Sequence, residues 1–141
     1  MATRPKPVNQ PVLTNDQAYA TLDKAQQLIT MGWTKNMLAC NQDGRSVPPQ
    51  SERAVKWCEL GALQAATYYL DNEQEEGPAY KYVLSVFNAA NVPILAKSES
   101  VGSAVPFIND HVHTTHEHVI RMFIRSKAWL LRQQAKQEVA K

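Results

Sequence analysis

The chain is poor in cysteine, in net charge and in long apolar runs. Of its 141 residues only Cys40 and Cys58 carry thiols, and neither has a Cys-x-x-Cys neighbour. Two such residues cannot make a disulfide framework, so the expectation is a pair of buried, reduced thiols in a cytoplasmic protein. No apolar stretch approaches the ~20 residues that span a bilayer, which excludes a membrane-spanning helix. The amino terminus, MATRPKPVNQPVLT, has basic residues without an apolar core behind them and does not read as a secretory leader. Five Gly and eight Pro exclude collagen-like repeats and general disorder. Fifteen Lys and Arg against thirteen Asp and Glu leave +2, too balanced for a dedicated nucleic-acid binder. No phosphate-cradling Gly-rich loop, nucleophile elbow or paired-carboxylate motif is present. Local motifs therefore give catalysis little support, although catalytic groups converge in space rather than in sequence. No segment repeats at the period of about 20 to 50 residues that marks a solenoid.

What is present reads as a flexible arm over residues 1–13, holding three of the eight prolines, followed by one helical domain over 14–141. Thr14 and Gln17 fit a capping box. Ala18, Leu22, Ala25, Leu28 and Ile29 then recur at helical spacing, and Gly32 reads as a left-handed stop with Trp33 folding back on the last turn. Asp43-Gly44 signals a tight turn between Met37–Cys40 and Arg45–Val47, a short hairpin or irregular insert closed by Pro48-Pro49. Ser51 reads as the cap of a second helix reaching about Leu70, with Ala54, Val55, Cys58, Ala62, Ala65, Ala66 and Tyr69 inward. Gly61 within it costs about 1 kcal/mol relative to Ala, which implies a close neighbour. The acidic stretch 71–76 ends at Gly77-Pro78, and Pro suits the first turn of a third helix with Tyr80, Val83, Leu84 and Phe87 inward. Residues 92–113 show no clear period, a loop long enough to suggest function. A second capping box, Thr114 with Glu117, opens a last helix with Val119, Ile120, Phe123, Leu130 and Leu131 inward. The expected fold is mainly α, a compact bundle of about four helices with the insert after the first.

Gly32-Trp33, Asp43-Gly44-Arg45, the run Ala54 to Leu63, and Asn109-Asp110 before a Thr-capped helix carry a resemblance. Over roughly residues 20–126 the chain resembles a small bacterial and phage family known only as a domain of unknown function. Trp57-Cys58 followed by Gly61-Ala62-Leu63 is the specific part. Ile108 stands where that family has an aromatic residue. The resemblance implies a small domain carried by phages and other mobile elements; it implies no activity and no fixed histidine set.

Three constellations invite a functional reading. His111, His113, His116 and His118 follow Asp110, and imidazoles suit zinc. Their spacing matches no common zinc motif, and solvated histidines ahead of a helix are the simpler account. A metal-dependent hydrolase using Asp110 with His111, His113 and His116 is the alternative. Asn109 and Asp110 either meet a ligand or fix a turn by bonding nearby amides. Trp33 and Trp57 read as core anchors. The last helix is the best-organised surface, with six Lys and Arg from His116 to Lys141 against Glu117 and Glu138. His118, Arg121, Arg125, Trp129, Arg132 and Lys136 fall within an arc of about 80° on an ideal helix. Lys127, on the apolar side, reads as snorkelling outwards. The leading expectation is a non-enzymatic binding protein without cofactor. It would engage a host protein or a phosphorylated ligand through the 92–118 loop and Asn109, Asp110, His118, Arg121, Arg125, Trp129 and Arg132, with nucleic acid less favoured. A self-associating structural component, its Arg stripe facing the acidic 71–76 loop of a second copy, is the third reading.

Overall fold

The computed structural model describes residues 12–91 and 114–139. They contain four helices, α1 (Asn15–Met31), α2 (Glu59–Thr67), α3 (Pro78–Ala90) and α4 (His116–Val139), and two short strands, β1 (Ala39–Cys40) and β2 (Lys56–Trp57). The arm over 1–11 and the 92–113 loop lie outside the described residues. The mainly α bundle read from the sequence is what the chain forms.

α1 starts as its sequence dictates. Thr14 Oγ1 accepts from the Gln17 amide and Gln17 Oε1 accepts from the Thr14 amide, a complete capping box. The positions Ala18, Leu22, Ala25 and Ile29 are all buried. The end of α1 differs from expectation. Gly32 is extended (φ −173°, ψ 136°), not left-handed. Its glycine is needed because a Cβ would stand 2.2 Å from the Val55 carbonyl oxygen. The chain turns directly into an extended layer, where the Trp57 amide donates to the Gly32 carbonyl and the Thr34 amide to the Trp57 carbonyl.

The insert also departs from a simple hairpin. Asp43-Gly44 does form the tight turn, with Gly44 at φ 79°, and Asn41 Oδ1 accepts from the amides of Asp43 and Arg45. A single bridge joins Cys40 to Ser46. The main partner of β1, however, is β2, antiparallel with Ala39 opposite Trp57. Trp57 is thus central: it lies opposite Ala39 of β1, its amide and carbonyl bond the Gly32–Thr34 segment on the other edge, and its indole N–H donates to the Pro49 carbonyl.

Helix α2 therefore starts at Glu59, not at Ser51. Ser51 Oγ accepts from the Arg53 amide and closes a local turn instead. Cys58 is the cap, its sulfur accepting from the Gly61 amide at 3.3 Å. The close neighbour expected at Gly61 is there: a Cβ would meet the Leu38 carbonyl oxygen at 1.9 Å. Val55 and Tyr69, expected inward, are 41% and 70% exposed, because Val55 precedes β2 and Tyr69 follows the helix.

α1 lies against α4 and α2, and α3 against α4 and α2. Between them sit Leu22, Ile29, Leu63, Val83, Phe87, Val119, Met122 and Phe123, all nearly inaccessible to solvent, with Phe87 and Phe123 rings 5.0 Å apart. α4 begins one residue later than expected. Thr115 is the cap: its hydroxyl accepts from the His118 amide, and His118 Nδ1 accepts from the Thr115 amide. Ile120 is half-buried and Leu131 is 54% exposed, so the inward face turns towards Met122 and Ser126 instead.

Gly61→Ala tests this packing. Alanine propagates a helix better by about 1 kcal/mol, yet overpacking a rigid carbonyl costs about 1–3 kcal/mol or more. We expect net destabilisation in urea unfolding of at least about 1 kcal/mol, whereas the exposed Gly44→Asn, a residue that tolerates positive φ, stays within about 0.5 kcal/mol of the parent.

Candidate functional site

The candidate residues of α4 are positioned by a clasp with α1. The two helices run antiparallel: His116 meets Ile29, Lys127 meets Asp23, and Leu130, Leu131 and Gln134 share a small cavity with Asn15, Asp16 and Tyr19. His116 Nε2–H donates to the Ile29 carbonyl, one of the carbonyls left open at the end of α1. Its ring stacks on Trp33 with centroids 5.8 Å apart and planes 16° from parallel. Lys35 Nζ lies over the same indole at 5.2 Å. His116 thus ties the two helix ends together.

The metal reading is not assembled among the described residues, where no group of three His, Cys, Asp or Glu side chains converges. Asn109, Asp110, His111 and His113 lie outside the described residues. His118 serves the Thr115 cap.

The basic row is partly engaged. Arg121 bonds Glu117 at 2.7 Å, with both side chains well exposed at 63% and 71%. Such an exposed pair is worth about 0.3–0.5 kcal/mol and is readily exchanged for another anion. Arg125 donates to Asn91 Oδ1 at 3.3 Å. Trp129, expected in the row, is half-buried and packs against the core. Arg132 and Lys136 are exposed and make no ion pair among the described residues. The outward row is therefore Arg121, Arg125, Arg132 and Lys136, within about 60° on an ideal helix. Beside it Ile124 and Leu131 are 49% and 54% exposed.

Several polar residues escaped the sequence reading. Lys127 does not snorkel into solvent; its ammonium, on a side chain 14% exposed, bonds Asp23 at 2.8 Å and lies over the Tyr19 ring at 5.5 Å. That hydrogen bond, opposed by partial desolvation and aided by the ammonium charge and by Gln27, holds the Asp23 carboxyl below its ordinary value. Asn91 is fully buried at the end of α3, its amide nitrogen donating to the Phe87 and Met122 carbonyls and to Ser126 Oγ. Asp71 is not a free acid of the 71–76 loop. It is buried, and its two carboxylate oxygens accept from the Ala79 and Tyr80 amides, capping α3 from seven residues upstream of its first residue. Gly77 permits this, since a Cβ there would stand 2.4 Å from Asp71 Cγ. The sequence does hold a signal: Gly77-Pro78 opens a helix without a capping side chain, so an acceptor must come from elsewhere. Tyr80 is a core tyrosine, its phenol pushed up chiefly by burial and pulled the other way by a hydrogen bond from Gln64. Glu59 is fully buried in the first turn of α2, where the helix dipole favours a carboxylate.

A family model matches residues 13–127, most of the domain just described. The chain belongs to the family of unknown function DUF6197. No curated protein and no solved structure matches it. The structure gives the motif shared in the resemblance a physical reason. Gly32-Trp33, Trp57-Cys58 and Gly61 are the places where the extended layer touches the ends of α1 and α2. The match ends before Trp129, Arg132 and Lys136, so the distal half of the basic row lies beyond the span matched by the DUF6197 model.

The Asp23–Lys127 tie carries a pH signature. The folded pKa of Asp23 lies below the unfolded value, so the tie stabilises above the unfolded carboxylate range and is lost as pH falls through the folded pKa. Asp23→Asn should cost about 1 kcal/mol near neutrality. The gap between variant and parent should shrink on acidification as the pH falls through the folded value of the Asp23 carboxyl, read from urea midpoints. Asp71→Ala, which uncovers two buried amides, should cost about 2–3 kcal/mol by the same measurement.

Proposed function

We propose that this DUF6197 chain is a non-enzymatic binding module of the cytoplasm that engages an acidic surface on a partner protein through the outward face of α4. The carrying observation is the row Arg121, Arg125, Arg132 and Lys136 on one side of a helix whose other side is locked into the core. Two buried thiols that are not joined in a disulfide agree with a reducing compartment, and no described helix is long and apolar enough to cross a membrane.

The layout of the charges favours an extended acidic surface over a compact phosphate. Tight phosphate recognition needs several donors aimed at one point, often a bidentate arginine. Here the cations follow one another along a helix at rises of about 6 Å, about 10 Å and about 6 Å. The case for a nucleic acid weakens for a similar reason, because stacking of a base requires an accessible aromatic face and Trp129 packs against the core. The acidic 71–76 loop of a second copy is a poor counterpart, since Asp71 is committed to capping α3.

Replacing Arg121, Arg132 and Lys136 together with Glu tests the reading, because all three are exposed and none is bonded into the core. The variant should keep its circular dichroism and unfolding midpoint while binding a polyglutamate probe at least about tenfold more weakly at low salt. Undiminished binding would rule this face out.

A further inference from the structure

The outward side of α4 carries a second pattern beside the cations. Ile124, Ala128, Leu131 and Ala135 follow one another at steps of four, three and four, the spacing of a two-helix seam. Ile124 and Leu131 are 49% and 54% exposed, Ala135 is exposed, and Ala128 is half-buried. The antiparallel clasp brings the start of α1 alongside Leu130, Leu131 and Gln134, so the last residues of α4 run on past it. Where the seam meets α1, a cavity of about 200 Å³ opens between Leu131, Tyr19, Asn15 and Asp16. That is room for one apolar side chain arriving from outside.

We infer that this seam, within the surface assigned above and resting on that assignment, docks an acidic amphipathic helix of another protein. Its apolar face would cover Ile124 and Leu131 and place one side chain in the cavity beside Tyr19, while its acidic flank meets Arg125 and Arg132.

Charge selects this occupant over a second copy of the chain. In heptad terms Arg125 and Arg132 both sit at the e position that borders the seam. In a parallel self-pairing they face Ile120 and Lys127 of the other copy, and in an antiparallel one they face each other. Neither arrangement supplies an anion, and like charges across a seam oppose association. Glutamates on a foreign helix at the facing positions satisfy both arginines, and Arg121 can exchange its exposed Glu117 bond for the same flank.

The test uses the full chain and three labelled peptides about three heptads long, followed by fluorescence anisotropy at about 50 mM salt. One has Leu at the seam positions and Glu on the flanks. The second is a scramble of that composition, and the third carries Lys on the flanks. The patterned acidic peptide should bind at least about tenfold more tightly than the scramble, with the lysine peptide weakest. Ile124→Glu with Leu131→Glu, both surface changes, should abolish that preference without altering the unfolding midpoint. If the scramble binds within about threefold of the patterned peptide, the seam is overturned while the cationic face above survives. If no acidic peptide binds, both fall. A sedimenting dimer that Leu131→Glu dissociates would overturn the foreign helix in favour of a second copy.

Discussion

The architecture depends on how closely an extended layer can lie on two helix ends. At Gly32 the Val55 carbonyl, and at Gly61 the Leu38 carbonyl, occupy space that any side chain would claim. With both glycines in place, β2 passes between the end of α1 and the start of α2. The backbone of Trp57 is bonded to Gly32 and Thr34, while Val55 and Cys58 bond Cys40 and Leu38 on the other edge. Trp57 also sends its indole to Pro49, so it ties the Pro48-Pro49 end of the insert to the same layer. The cap of α2 belongs to the same junction, because Cys58 directly follows β2, bonds Leu38 through its amide and accepts from the Gly61 amide through its sulfur. The Trp57-Cys58 motif is, in physical terms, a joint.

Around that joint, buried and half-buried polar groups choose among arrangements that apolar packing alone would leave nearly equivalent. Asp71 on α3, Asn91 between α3 and α4, His116 on the end of α1, and Asp23 on Lys127 each join segments far apart in sequence or cap a helix that lacks its own cap. A satisfied hydrogen bond adds only about 1 kcal/mol net. Leaving a buried donor open costs about 1–3 kcal/mol, so such ties act mainly by penalising misregistered alternatives. The fixed inner face of α4 in turn determines which of its residues point outwards, and the cationic row and its apolar neighbours are what remain.

Much of this was legible wherever the determining contacts were local. The box at Thr14 and Gln17, the turn at Gly44, the proline start of α3 and the inward row of α1 all follow from residues within a few positions of one another. The need for a neighbour at Gly61 was legible too, though its identity was not. Errors arose where a distant segment decided the outcome. Ser51 has the chemistry of a cap, yet β1 draws residues 56 and 57 into a strand and leaves Ser51 a local turn. Gly32 has the look of a left-handed stop, but what it accommodates is Val55, more than twenty positions away. Periodicity placed Leu131 inward and Lys127 at the water's edge; the position of α1 rotates both assignments. For the candidate surface, Arg121, Arg125, Arg132 and Lys136 were identifiable as one row. The packing of Trp129 and the tether from Arg125 to Asn91 depend on α3 and could not be read from the last helix by itself.

The pairing of the first and last described helices has a consequence for biosynthesis. α1 is made well before α4, which together with α2 covers Leu22, Ala25 and Ile29, and His116 follows Ile29 by 87 positions. During vectorial synthesis the early helix must wait, one flank still wet, until α4 has cleared the ribosomal tunnel, because only then can the long loop between them be closed. A nascent chain halted before residue 116 would hold three of the four described helices and lack the one that lies against both α1 and α3, so the synthesis of α4 is what closes the described interior.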